Sequence, residues 1–237
     1  MYQEFAKVYD KFMELADYDE WHDFVSYVIE GNNPGGKTLL DLGCGTGEVL
    51  KRFLEEYECT GVDISEDMLL VTREKLNDLG KDVPLLCQDM KELSLDKKYD
   101  IVISLFDTVN HLVSIGDLEK LFERIKIHLN TKGIYIFDVV DRNFMDEMFP
   151  DGFFIDQRED MTVIWEHYFE DQLDCIETTF FVEEKEGLYK KYREKHIKKI
   201  YTHKEIQEAA EKSGLHVENI YEESSLAGER FFYVIKK

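Results

Sequence analysis

Between residues 37 and 140, five short apolar runs alternate with stretches of helical periodicity, and nothing else in the chain restricts the fold as tightly. The apolar runs are Lys37–Leu42, Cys59–Asp63, Val83–Gln88, Tyr99–Leu105 and Ile134–Val139. Among the intervening stretches, Thr46–Tyr57, Ser65–Leu79 and Asp117–Leu129 repeat apolar residues at three- and four-residue spacing, as in Val49, Leu50, Phe53 and Leu54. Strands joined through helices run parallel, and right-handed crossovers cover both faces of one sheet. The expectation is a doubly wound α/β fold. Ser65 suits a helix N-cap, with Glu66 and Asp67 near the positive end. The NTKG stretch at 130–133 is expected to close the helix before it, with Gly133 making the turn.

The flanks read differently. Residues 1–30 predict two helices, the second with the stripe Trp21, Phe24, Val25, Val28, Ile29, broken by GNNPGG at 31–36. After Asp141, a short helix around Asn143–Phe149 and a turn at 150–152 precede β-type alternation. Three antiparallel strands are expected there, Met161–Glu170, Leu173–Glu183 and Tyr189–Ile200. Thr202-x-x-Glu205 is a capping box for a helix through Lys212, stopped by Ser213–Gly214. Val217–Tyr221 and Phe231–Ile235 suit a hairpin at the sheet edge. The expected organisation is an N-terminal helical lid (1–36), a ligand-binding α/β core (37–140 and 201–237), and an inserted antiparallel β subdomain (141–200) that is a candidate substrate lid.

Hydrophobic content of 43% with 13% aromatic residues belongs to a packed protein, and 237 residues suffice for one core plus an insert. No apolar stretch reaches a membrane span, and the start MYQEFAKVYDKF lacks a basic segment followed by an apolar block. A cytoplasmic protein without membrane contact is expected. Cys44, Cys59, Cys87 and Cys175 have no CxxC spacing, which suggests neither a disulfide framework nor a metal site. A net charge of −22 repels nucleic acid. One local exception, LYKKYREKHIKKI at 188–200, holds six Lys/Arg; as a solvated strand it balances Glu183, Glu184 and Glu186.

The first apolar run ends in LDLGCGTG, where a wound sheet binds its ligand. Gly43, Gly45 and Gly47 form GxGxG; a dinucleotide fingerprint requires glycine at position 48, which is Glu48. That carboxylate stands where a pyrophosphate would sit, and no P-loop lysine is present, so the ligand is an adenosine without phosphates. Asp63, twenty residues past Gly43, is spaced to bridge two ribose hydroxyls. Asp89 in CQDM is placed to accept from an adenine amine while Met90 packs on the ring, and Asp41 to meet a cationic amine.

DLGCGTG, GVDISEDML and CQDM, in this order, resemble the class I S-adenosylmethionine-dependent methyltransferases. The opening YxxFAxVYDxxM and the later FDTVNHL resemble their small-molecule branch, including YqeM-like members. The resemblance covers 1–140 and 200–237 well, and the insert only in kind. It implies a Rossmann-like, mostly parallel seven-stranded sheet with an antiparallel last strand, S-adenosylmethionine as cofactor and S-adenosylhomocysteine as product. It also implies that Gly43, Cys44 and Gly45 line the methionine moiety, that Ile64 and Met68 flank the ribose, and that Leu105 borders the site. Tyr9 and Tyr18 resemble lid residues.

Methyl transfer needs alignment and desolvation of the acceptor, and a base only where a proton is lost in the transition state. Candidates near the methyl are His111, Asp107 and Asn110 for catalysis, with Phe106 beside them for the substrate. Tyr192, Glu194 and His196 share one face of a predicted strand and are further substrate candidates. The fourth-strand loop lacks an NPPY-type sequence, and no cysteine follows it to attack a pyrimidine. A small amine, carboxylate or hydroxyl compound is the leading acceptor class. RNA docking through 188–200 and a non-catalytic S-adenosylmethionine-binding protein are the alternatives, and oligomeric state stays open.

Overall fold

The structure, a computed structural model, describes residues 6–226 and 228–237, so Tyr2 and Phe5 of the opening motif lie outside it. Helices α1 (Ala6–Phe12) and α2 (Tyr18–Asn32) come first. The alternating stretch follows as β1 (Thr38–Leu42), β2 (Glu58–Asp63), α3 (Glu66–Asp78), β3 (Leu85–Cys87), β4 (Tyr99–Ser104), α4 (Ile115–His128) and β5 (Leu129–Val140). Helix α5 (Arg142–Met148) leads into β6 (Phe153–Gln157), β7 (Met161–Glu170), β8 (Leu173–Lys185) and β9 (Leu188–Lys198). Helix α6 (His203–Lys212), β10 (His216–Glu223) and β11 (Arg230–Lys236) follow.

Strands β1 to β5 pair in parallel in the order β3-β2-β1-β4-β5, and β11 lies antiparallel between β5 and β10. The winding reverses between β1 and β4, which opens a crevice at their carboxyl ends. Alternation along β1 divides the core. Leu40 and Leu42 gather with Phe122 and Ile125 of α4 and Ile206 of α6, while Leu39 gathers with Val25 of α2 and Leu76 of α3. Both faces are covered, which is why these strands read as continuous apolar runs. No helix among the described residues is long and apolar enough to cross a membrane.

Three elements differ from the sequence reading. Thr46–Tyr57 contains only a 3₁₀ turn at Leu50–Phe53. Gly47 has φ +78°, so right-handed helix cannot include it. Past it, hydrogen bonds mix four- and three-residue spacing, as in Lys51 N to Gly47 O and Arg52 N to Val49 O (both 3.0 Å). The NTKG stretch does not close α4 with a left-handed glycine. It belongs to β5 as an irregular stretch, where Asn130 donates to Asp100 (2.8 Å) and the β4 register shifts between Tyr99 and Ile101. Strand β6 was not legible: FFIDQ is exposed at four of its five positions and has no burial alternation.

The second sheet is antiparallel, in the order β6-β7-β8-β9. Its inner residues Met161, Val163, Phe180 and Val182 cluster with Ala6 of α1, Met145 of α5 and Met68 of α3. Arg142 of α5 donates twice to the fully buried Asp174 of β8 (2.7 and 2.6 Å), which also pairs with His167 Nε2 (2.8 Å). That bidentate pair fixes the helix entering the insert to the insert's own sheet.

Candidate active site

Past β1 the backbone turns so that the N–H groups of Gly43 and Cys44 both donate to the Val62 carbonyl (2.7 and 3.0 Å). Gly43 holds φ +91°, and a Cβ there would sit 2.5 Å from Thr108 Cγ2. Gly45, with φ +54°, would place a Cβ in open space. The Gly45 N–H donates to Asp63 Oδ2 and the Ser65 N–H to Asp63 Oδ1 (both 2.8 Å), which fixes the carboxylate at the end of β2. Ser65 also caps α3 through Met68 N (3.3 Å).

A cavity of about 390 Å³ lies over these strand ends. Asp41, Gly43, Cys44 and Gly45 line it from β1 and its loop, and Asp63, Ile64 and Met68 from β2 and α3. Asp89 and Met90 line it after β3, and Leu105 after β4. Tyr9 of α1 and Tyr18 of α2 reach it from the N-terminal side. All the residues expected at the cofactor therefore meet on one surface. Sequence reasoning missed Thr46, Gln88, Lys91 and Thr108 on the same walls, although all but Lys91 sit inside the quoted motifs.

The charges favour a cationic ligand. Asp41 is 3% exposed, and its Oδ2 has no hydrogen-bond partner. Burial, with Asp63 nearby, pushes its carboxyl up to about 8. Burial also raises Asp63 against the opposing pull of its backbone hydrogen bonds. An ammonium or sulfonium arriving here would pair an otherwise orphaned carboxylate. Glu48 is different. Burial would raise it, but Lys51 and Lys75 bring it down to about 2, and it contacts Lys51 (2.6 Å), Lys75 (2.7 Å) and Arg52 (3.1 Å). Three cations therefore neutralise Glu48, which does not stand as a bare anion on this wall. Lys75 also meets Asp10 of α1 (2.6 Å), and Thr46 Oγ1 donates to the same carboxylate (2.6 Å), tying α1 to the glycine loop.

The opposite wall comes from the loop after β4 and from β9. Phe106, His111 and His196 line it, with the two imidazoles edge to face at 5.6 Å between centroids. His111 keeps exposed surface, but that surface opens into the cavity. Burial and then Lys198 lower His111 to about 4; burial, His111 and Lys198 do the same for His196. Both rings are therefore neutral at pH 7. Phe106 (φ +59°) and Asp107 (φ +50°) are consecutive non-glycine residues in the left-handed region, a cost of about 1–3 kcal/mol each.

Four expected residues do not reach the cavity. Asp107 is buried behind the wall. Burial would raise its carboxyl, but Lys198 and Arg230 hold it well below the usual range. It bonds Lys198 and Arg230 (3.0 Å), and its N–H donates to Asp138 (2.9 Å). Asn110 is fully buried, donating to the Lys199 carbonyl (2.8 Å) and accepting from Val140 N (3.1 Å). Both are structural here because each is saturated by protein partners. Tyr192 packs into the inner face of the second sheet. Glu194 lines a separate cavity of about 220 Å³ with Thr178 and Arg193. No cluster of three or more potential metal ligands occurs among the described residues.

The carboxylates of Asp41 and Asp63, a GxGxG turn and a cavity open past β4 fit S-adenosylmethionine. Comparison with known proteins agrees. Residues 39–133 match a methyltransferase domain family. Over 246 aligned residues the chain is 34% identical to the YqeM protein of Bacillus subtilis (strain 168), covering 100% of this chain and 97% of that one. The crystal structure of an S-adenosylmethionine-dependent methyltransferase from Clostridium acetobutylicum ATCC 824 superposes with a TM-score of 0.88 at 28% identity, covering 99% of this chain and 98% of that one. A dTDP-3-amino-3,4,6-trideoxy-alpha-D-glucopyranose N,N-dimethyltransferase of Streptomyces venezuelae is 31% identical over 150 residues, 62% of this chain and 60% of that one. The chain belongs to the S-adenosylmethionine-dependent methyltransferases, in the group that contains YqeM.

Proposed function

We propose that the enzyme methylates a small-molecule amine held against Phe106, His111 and His196, with the cofactor seated over β1, β2 and β3. The observation that carries this reading is that the cofactor-side carboxylates and the acceptor-side aromatic residues line one continuous cavity. When bound, S-adenosylmethionine supplies a methyl group on a sulfonium whose departure leaves a neutral thioether. Asp41 pairs with the cofactor's amine, Asp63 accepts from its ribose hydroxyls, and Asp89 with Met90 holds the adenine. Tyr9 and Tyr18 exclude water from the N-terminal side.

The bases present weigh against an alcohol as the acceptor. An imidazole with a pKa near 4 is too weak to strip a proton from an alcohol. A neutral amine is already nucleophilic and needs only desolvation and a hydrogen bond to hold its lone pair in line. His111 or His196, neutral at pH 7, accepts that hydrogen bond. The amino-sugar dimethyltransferase among the relatives supports the same class. RNA is disfavoured because four of the six cations at 188–200 are already paired: Lys190 with Glu184, Lys195 with Glu177, Lys198 with Asp107 and Lys199 with Glu205.

The test is a metabolite extract incubated with cofactor carrying a labelled methyl group. Label on a primary or secondary amine supports the reading, and label confined to hydroxyl or carboxylate compounds overturns it.

A further inference from the structure

The segment carrying Phe106 and His111 is bolted to the end of β9 at three successive places. Asp107 pairs with Lys198. Asn110 exchanges two hydrogen bonds with the Lys199 backbone, donating through Nδ2 and accepting at its carbonyl (both 2.8 Å). Tyr201 Oη donates to the Leu112 carbonyl. Beside these bolts, His111 meets His196 edge to face. The bolts differ in kind: the second and third end on backbone carbonyls, whereas the first is an ion pair between two side chains.

That first bolt also sits at the strained point. Asp107 adopts left-handed backbone, and the side chains that hold its carboxylate and its N–H come from other elements: Lys198 from β9, Arg230 from β11 and Asp138 from β5. Arg230 bridges Asp107 and Asp138 (3.0 and 2.7 Å) and lies over the Trp21 ring of α2 (5.2 Å). Trp21 in turn stacks on Phe106 at 3.9 Å. With Arg230 alone, a buried carboxylate would keep one oxygen without its cation. The turn aims Phe106 into the cavity on one side and His111 on the other.

We propose that Lys198 is a positioning residue for methyl transfer: through its ion pair with Asp107 it holds the strained Phe106–Asp107 turn, and so sets the distance between His111 and His196 across the acceptor end. This rests on the reading that the 106–111 wall faces the acceptor. Lys198 touches no reacting atom. Its removal is felt at the acceptor end and not at the cofactor end, because Asp41, Asp63 and Asp89 are held by their own strands and loops.

Lys198→Met and Lys198→Arg separate charge from bulk. Binding of S-adenosylhomocysteine, measured by calorimetry, should stay within threefold of wild type in both. In proton NMR, the cross-peak between the His111 and His196 rings should vanish in Lys198→Met and return in Lys198→Arg. Incorporation of label from saturating S-adenosylmethionine into metabolite extract should fall at least tenfold in Lys198→Met and recover in Lys198→Arg. An undiminished cross-peak or unchanged incorporation in Lys198→Met overturns the proposal, as does a loss that arginine fails to restore. If Lys198→Met does not fold, Lys198→Gln carries the same readings beside Lys198→Arg. Failure of wild type to bind S-adenosylhomocysteine would instead remove the cofactor site. Binding without label on any amine would remove only the acceptor reading.

Discussion

A buried carboxyl with a pKa near 8 and one orphaned oxygen takes up a cation by giving up a proton, which makes Asp41 measurable. Its folded value lies above the ordinary 3.8, so the folded chain holds the proton more tightly than the unfolded chain. Stability from this group is full below about pH 4 and is lost as pH rises to about 8. S-adenosylhomocysteine, whose amine is cationic over that range, should bind more tightly as pH rises from 6 to 8, by up to about tenfold per unit, and level off above. Calorimetry on wild type and Asp41→Asn checks this; an equal slope in the variant would remove Asp41 from the site. Asp63→Ala should weaken the same ligand by more than about tenfold at constant pH, because a charge-assisted hydrogen bond to a hydroxyl is lost. Gly43→Ala meets both a left-handed φ and Thr108 Cγ2 at 2.5 Å. It should cost about 1–2 kcal/mol, read as a lower urea midpoint at unchanged slope.

Elements explain which parts could be read in advance. The parallel strands were legible because both of their faces are apolar, and the caps at Ser65 and Thr202 because their chemistry is local. The residues expected at the cofactor line one cavity, and all but Tyr9 and Tyr18 on the N-terminal helices lie in short motifs near strand ends. On the wall after β4, Phe106, His111 and His196 were legible, whereas Asp107 and Asn110 look like free polar loop residues until Lys198, Lys199 and Arg230 arrive from more than eighty residues away. Strand β6 carries no inward pattern, and the glycine at position 47 hid a turn inside a helical periodicity. The N-terminal helix gives a prediction at this scale. Asp10→Asn weakens the contacts to Thr46 and Lys75 that hold α1 on the glycine loop. S-adenosylhomocysteine should then leave two- to tenfold faster, on the order expected for losing a partly exposed ion pair, in stopped-flow displacement. An unchanged off-rate would mean that α1 does not cover the ligand.

For the molecule as a whole, the formal net charge is −22, and the basic run on β9 is largely spent on internal pairs. Turnover should vary less than about twofold between 50 and 300 mM salt, whereas a phosphate-backbone partner would change it by orders of magnitude. The sheet order carries one more consequence. Strand β11 is translated after every other described element, yet it must slot between β5 and β10 and deliver Arg230 to two carboxylates that are already in place. Until β11 has joined the sheet, Asp107 and Asp138 face each other without that guanidinium. The nascent polypeptide can therefore build its nucleoside-binding half early, and the wall after β4 is fixed only once β11 has joined the sheet.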